Sequence, residues 1–146
     1  MHELGIASAL IEQVQERAQK LGATAVKSVT IKVGVYSGVC VESLEFAYGP
    51  LAEDTLLANS KLIVQTSPFV IYCPHCQQQF RPTQFRRTCE QCQARDVTIL
   101  TGRELDLVSM EIITPSATVV SSLAGHHPSQ TSFSQSSVHN QDKNYV

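Results

Sequence analysis

Four of the five cysteines stand in two CxxC pairs, and this pattern has the best-defined chemistry in the sequence. Cys73 and Cys76 lie in CPHC, Cys89 and Cys92 lie in CEQC, and twelve residues separate the pairs. Each pair forms a tight turn that directs two thiolates at one point, and two such turns can enclose a tetrahedral zinc ion. In a small module the binding of zinc supplies most of the folding free energy. The spacing therefore predicts a structural Zn(II) site.

Other functions of these cysteines are less favoured. A redox dithiol needs only one CxxC pair, and disulfides are uncommon in a reducing compartment. His75 lies inside the first pair and could replace a thiolate, although we expect it to be a spacer that faces solvent. The N-terminus has no basic region, and Glu12 and Gln13 interrupt its apolar stretch, so it resembles neither a signal peptide nor a membrane span. We therefore expect the protein to be cytoplasmic, with reduced cysteines.

The main alternative function is that of a zinc-ribbon module that binds nucleic acid or protein. The charge of the segment around the cysteines indicates whether nucleic acid is a suitable partner. From residue 68 to 103 the acidic residues are Glu90 and Asp96, and the basic ones are Arg81, Arg86, Arg87, Arg95 and Arg103. The whole chain of 146 residues has a formal net charge of −2. Nucleic acid and anionic membranes require a strong basic excess, so we expect neither as a partner.

The first three residues, Met1, His2 and Glu3, are the second group that could bind a metal. The α-amine, the His2 imidazole and backbone amides outside the helix hydrogen-bond pattern offer three kinds of nitrogen. Ni²⁺ favours square-planar nitrogen sites. The same residues could instead form an ordinary helix start, with Glu3 near the positive end of the helix dipole and His2 exposed. The residue types alone leave both interpretations open.

The elements that position these groups follow from hydrophobic periodicity. Apolar residues at steps of three and four predict a helix that ends at Gly22; they are Leu4, Ala7, Ile11, Val14, Ala18 and Leu21. Alternation from Lys27 to Val35 predicts a strand, as do the segments 61–66 and 104–113. A second helix around residues 44–51 should bend or restart at Gly49-Pro50.

The predicted fold class is α+β, with a small three-stranded sheet packed against two helices and an inserted module that resembles a zinc ribbon. The predicted domains are an α/β domain of residues 1–67 and 104–114, and a zinc-binding domain of residues 68–103. Residues 115–146 contain eight serines and few large apolar residues. This composition cannot offset chain entropy by burial, so it predicts a disordered tail.

With these motifs in place, the sequence resembles the HypA/HybF family of hydrogenase maturation nickel metallochaperones. The resemblance rests on MHE before an amphipathic helix, VGVYSGV, ESLEFAY, the two CxxC pairs and GRELDLVSMEI, and it covers residues 1 to about 114. We find no Ser-His-Asp set, phosphate loop or HExxH motif that would favour an enzyme.

The resemblance implies a function and a set of partners. Met1, His2 and Glu3 would form the nickel site of the first domain, with the His2 imidazole essential, and the four paired cysteines would hold structural zinc. A protein of this family is not an enzyme. It takes up nickel, works with a HypB-type GTPase and helps insert the ion into the [NiFe] hydrogenase large subunit. The prediction also leaves room for a homodimer.

The sequence departs from the family in the loop after the first strand. Members often carry Asp or Glu there, able to serve as a further nickel ligand. This sequence has Cys40, with Glu42 close by. Either residue could supply that ligand, although a single Cys in such a place is more often a small buried apolar residue.

Overall fold

The structure is a computed structural model that describes residues 2–84, 86–116 and 118–122. Met1, Phe85, Ala117 and residues 123–146 lie outside the described residues. In chain order the elements are α1 (His2–Lys20), β1 (Ala25–Gly34), α2 (Val41–Ala52), β2 (Lys61–Ser67), β3 (Val70–Cys73), β4 (Gln78–Phe80), β5 (Thr98–Thr101), β6 (Leu105–Ile113) and β7 (Thr118–Ser122).

The described strands form two sheets. The larger sheet has the order β2-β1-β6-β7, in which β1 is parallel to β2 and antiparallel to β6, and β6 is antiparallel to β7. The smaller sheet has the order β4-β3-β5 and is antiparallel. Because a parallel pair needs a crossover connection, α2 joins β1 to β2. The predicted α+β class is confirmed, and the three predicted strands are β1, β2 and β6.

Helix α1 buries the apolar stripe that its sequence predicts. Ala7, Ile11, Val14 and Ala18 are buried against the larger sheet and α2, whereas Leu4 and Leu21, at the two ends of the stripe, are 43% and 48% exposed. Buried residues of the strands and of α2 complete this core: Val26, Val29, Ile31, Val33, Leu44, Tyr48, Ala52, Met110 and Ile112. The core therefore fixes the start of α1 close to α2.

Helix α2 continues through Gly49 and Pro50 to Ala52, so the helix does not restart at this dipeptide. Pro50 lies in the last turn and costs the helix one hydrogen bond, the one that an N–H at this position would donate to the Phe46 carbonyl. Leu44, Tyr48 and Ala52 are buried on one face of the helix. We infer that this packing outweighs the low helix propensity of the dipeptide.

The sequence predicts disorder from residue 115, but the structure has a strand, β7, within that segment. Residues Thr118–Ser122 pair antiparallel with Ser109–Ile113 of β6 and make the larger sheet four-stranded. The open edge of β6 supplies the backbone partners that composition could not reveal. Residues 123–146, with most of the predicted tail, lie outside the described residues.

The smaller sheet and the cysteine pairs share a second core, which is formed by Phe69, Ile71, Cys73, Cys89 and Val97. The chain enters this module after β2 and leaves it before β6, on either side of β1. At that junction the Val35 amide donates to the Ser67 carbonyl over 3.0 Å, and the Tyr36 amide donates to the Gly102 carbonyl over 2.6 Å. The domain boundaries at 67/68 and 103/104 remain predictions from composition.

Candidate metal sites

The four cysteines of the CxxC pairs come together in the smaller module. Their sulfur atoms all lie within 4.8 Å of one another, with Cys73 and Cys92 separated by 3.6 Å and Cys76 and Cys89 by 3.8 Å. Four sulfurs placed about 2.3 Å from one zinc ion in a tetrahedron are separated by roughly 3.8 Å. The cluster therefore fits a zinc site.

Local backbone geometry explains why the cysteines converge. Cys73 ends β3 and Cys76 follows in the turn before β4, so the first pair is anchored by the smaller sheet. In the second pair, the Gln93 amide donates to the Cys89 carbonyl over 3.0 Å. Gln77 and Gln93, each directly after the last cysteine of a pair, have positive φ values of 52° and 60°. Both pairs thus end with a left-handed residue that reverses the chain.

The four thiols differ from one another in burial and in hydrogen bonding. Cys73 and Cys89 are fully buried, Cys76 is half-buried and Cys92 is exposed. The hydrogen bond with the Cys92 sulfur, followed by burial, raises the pKa of Cys76 to about 12. The Cys92 backbone amide, with help from that of Gln91, lowers the pKa of Cys89 to about 7. Backbone amides directed at a sulfur stabilise the thiolate form, which is the form that binds metal.

His75 does not belong to the sulfur cluster. Its Nε2 lies 2.8 Å from Asp96 Oδ2, and both side chains are mostly exposed. This hydrogen bond is the main reason why the pKa of Asp96 is lowered. His75 therefore links the first cysteine pair to the segment that follows the second, and it faces solvent as a spacer would.

The amino-terminal residues predicted to bind nickel lie at the start of α1. His2 is the first helical residue and is exposed, Glu3 follows it, and Met1 lies outside the described residues. Glu3 Oε1 accepts a hydrogen bond of 3.1 Å from the backbone N–H of Cys40. That bond is the largest cause that lowers the pKa of Glu3. The carboxylate of Glu3 is therefore held in its charged form beside the start of α2.

Cys40 stands at the N-cap of α2 and is exposed, so it is not the buried apolar residue that a single Cys usually is. The Ser43 hydroxyl donates to Cys40 Sγ over 3.3 Å. Hydrophobic periodicity does not predict that Glu3 and Cys40 are neighbours, because 37 positions separate them, and only the family resemblance related Cys40 to the amino-terminal site. Glu42 is exposed in the first turn of α2, and it lines a surface groove together with Glu3, Leu4 and Phe46.

Within residues 2–84, 86–116 and 118–122, the four cysteines are the only group of three or more metal-ligating side chains that lies close enough to hold an ion. His2, Glu3 and Cys40 do not form such a group among the described residues. Neither described helix combines the length and the apolar character that are needed to cross a membrane.

Comparison with known proteins identifies similar sequences over most of the chain. Residues 1–112 match the family model described as "Hydrogenase/urease nickel incorporation, metallochaperone, hypA". A curated "Hydrogenase maturation factor HypA" from Picosynechococcus sp. is 34% identical over 113 residues, which are 77% of this chain and 100% of the relative. A relative of the same name from Desulfosudis oleivorans is 38% identical over 114 residues, with 77% and 98% covered.

Two solved structures share the fold. The solution structure of the Ni metallochaperone HypA from Helicobacter pylori is 25% identical, with a TM-score of 0.57, and covers 77% of this chain and 97% of that chain. A second solution structure, of a HypA protein, is 27% identical, with a TM-score of 0.61 and the same coverage. The similarity thus extends over nearly the full length of both solved chains.

Proposed function

We propose that this chain, which belongs to the HypA family of nickel-incorporation metallochaperones, binds Ni(II) at its amino terminus and delivers it for the maturation of [NiFe] hydrogenase. The observation that carries the proposal is the family match over residues 1–112, which includes both the amino-terminal residues and the four cysteines. Nickel is the transported ion.

The nickel site consists of the Met1 α-amine, backbone amides, the His2 imidazole and the Glu3 carboxylate. The exposure of His2 at the first residue of α1 supports this assignment, since an ion can reach the imidazole without any opening of the core. The lowered pKa of Glu3, due mainly to the Cys40 amide, keeps a negative charge beside His2. A site on the terminal turn can form and dissolve readily, which suits delivery better than storage.

Zn(II) is the structural ion, held by Cys73, Cys76, Cys89 and Cys92. The sulfur separations of 3.6 and 3.8 Å across the cluster support a closed tetrahedral site. With four protein ligands, such a site leaves no position for a substrate, and its contribution is to the folding of the module.

The partners that suit this function are a HypB-type GTPase and the [NiFe] hydrogenase large subunit, both met in the cytoplasm. The name shared by the curated relatives, hydrogenase maturation factor, supports the link to hydrogenase. The protein acts as a carrier and not as an enzyme: its proposed nickel ligands pass on an ion and transform no substrate.

The proposal is tested by calorimetric titration of Ni²⁺ into the zinc-loaded full-length protein. The native chain is compared with His2→Ala and with the matched control His75→Ala, which also removes an exposed imidazole. A further variant replaces His126, His127 and His139 by Ala, so that weak binding by these residues is counted separately. We expect one tight site that is lost only in His2→Ala. Equal binding in all four proteins would overturn the assignment of the nickel site.

A further inference from the structure

A groove runs along the outer face of α2 and reaches the first turn of α1. Its volume is about 550 Å³, and its apolar lining includes Leu4, Phe46, Pro50 and Leu51. The Phe46 side chain is 84% exposed and Leu4 is 43% exposed. A phenyl ring left in water beside other apolar side chains is typical of a surface that another molecule covers.

The rim of this groove is acidic. Glu3 and Glu42 both line it. The segment from residue 35 to 60 contains four acidic side chains and no Lys or Arg, and residues 1–16 also contain no Lys or Arg. The groove is thus apolar within and negative around its edge.

We propose that this groove docks an amphipathic helical segment of the protein with which nickel is exchanged. Apolar side chains of that segment cover Phe46 and Leu4, and its Lys or Arg side chains pair with Glu3 and Glu42. This inference rests on the proposed function, because Glu3 belongs both to the groove and to the nickel site. Docking here places the partner directly against the amino terminus that carries the ion.

Charge distinguishes this occupant from the other candidates. A symmetric contact between two copies of this chain through the groove would bring two acidic rims, each with Glu3 and Glu42, into one interface, and like charges in close proximity are unfavourable. An anionic lipid surface would be repelled by the same carboxylates. A cationic amphipathic helix is complementary to both the apolar lining and the rim.

The test uses two synthetic peptides of about 18 residues, which is roughly five helical turns. Both carry Leu at helical spacing; one has Lys at the polar positions and the other has Glu. Each is titrated into the zinc-loaded full chain by NMR and calorimetry. We expect the Lys peptide to shift the amide signals of Leu4, Ser43 and Phe46 and to bind at least about tenfold more tightly than the Glu peptide.

Phe46→Ala is the decisive variant because the ring lies outside the core and its removal should leave the spectrum of the fold intact. We expect it to weaken binding of the Lys peptide by about tenfold or more. Leu100→Ala in β5 is the matched control, since Leu100 is also apolar and 43% exposed, and it should bind the peptide like the native chain.

Several results would overturn the docking proposal: no saturable shifts at the groove, equal affinity for both peptides, or unchanged binding by Phe46→Ala. Sedimentation that shows a dimer lost in Phe46→Ala would also overturn it and assign the groove to a second copy. Nickel titration of Phe46→Ala separates this proposal from the proposed function. Phe46→Ala should bind nickel with native affinity although its binding of the Lys peptide is weakened. If the nickel assignment is wrong, His2→Ala also binds nickel with native affinity.

Discussion

Gly34 at the end of β1 and Gly102 before β6 pack backbone against backbone at the junction of the two sheets. A Cβ atom on Gly34 would overlap the carbonyl group of Gly102. Gly102 has a φ of 104°, and a Cβ atom there would lie 2.6 Å from the Phe69 Cα. The two segments that connect the smaller module to the larger sheet therefore meet at a point with no room for side chains.

Gly34→Ala should destabilise the protein because the overlap is with backbone atoms, which cannot rotate away. We expect the free energy of unfolding to fall by about 3 kcal/mol or more. The measurement is denaturant unfolding of the zinc-loaded protein. Gly49→Ala in α2 is the control, since a Cβ atom there meets nothing within 4 Å. A helical Gly→Ala change is expected to be neutral or to stabilise by up to about 1 kcal/mol. Similar stabilities for the two variants would contradict the close contact.

Cys73→Ser should abolish zinc binding and unfold the smaller module. The zinc content, measured by mass spectrometry of metals, should fall from about one ion per chain to nearly none. In NMR spectra the signals of Ile71 and Val97 should lose their dispersion while those of Ile11 in the first core remain. Cys40→Ser, which alters an exposed cysteine outside the cluster, should keep the native zinc content. Full zinc content in Cys73→Ser would refute the four-cysteine site.

The Glu3–Cys40 hydrogen bond should persist below the pH at which an ordinary glutamate is protonated. The Cys40 amide lowers the pKa of Glu3 from 4.5. The folded state therefore prefers the charged form, and this stabilisation is complete above pH 4.5 and is lost as the pH falls through the lowered value. The chemical shift of the Cys40 amide, followed from neutral to acidic pH, should show a midpoint below 4.5 that is absent in Glu3→Gln. Glu12→Gln should leave that midpoint unchanged.

Extension of the amino terminus should impair nickel binding. A Gly-Ser dipeptide before Met1 moves the α-amine away from the His2 imidazole. The amine and the imidazole can then no longer chelate one nickel ion from adjacent residues. We expect the nickel affinity measured by calorimetry to fall by roughly tenfold or more. The same dipeptide added after Val146 is the control. Native affinity in the extended protein would exclude the Met1 amine as a ligand.

Cys40 should contribute a further nickel ligand in preference to Glu42. Its backbone amide is already 3.1 Å from the Glu3 carboxylate, and Ser43 donates to its sulfur. In zinc-loaded protein the other thiolates are occupied, so sulfur-to-nickel absorption in the near ultraviolet reports on Cys40 alone. We expect this absorption in the native protein and in Glu42→Gln, and its loss in Cys40→Ser. Its absence from the native spectrum would favour Glu42.

Local patterns predicted the features that local interactions determine. The four cysteines lie in two short turns, so their spacing alone indicated a common site, and the apolar stripe of α1 is buried at Ala7, Ile11, Val14 and Ala18. The family resemblance, rather than periodicity, indicated nickel at His2.

The features that the sequence did not predict depend on distant parts of the chain. The Glu3–Cys40 contact joins residues that only the packing of α1 on α2 brings together. The helix continues through Pro50 because Ala52 is buried beyond it, and β7 forms because β6 offers an unpaired edge. In each case a tertiary partner outweighs local propensity.

The entry and exit of the smaller module are in direct contact, since the Thr101 hydroxyl donates to the Pro68 carbonyl over 2.6 Å. The inserted module is therefore connected to the larger sheet at two neighbouring positions. We infer that a change in the length of the module can be accommodated without a change in the register of β2, β1 and β6. We infer that substitutions in the smaller module and at the start of α1 can therefore accumulate independently within a single chain.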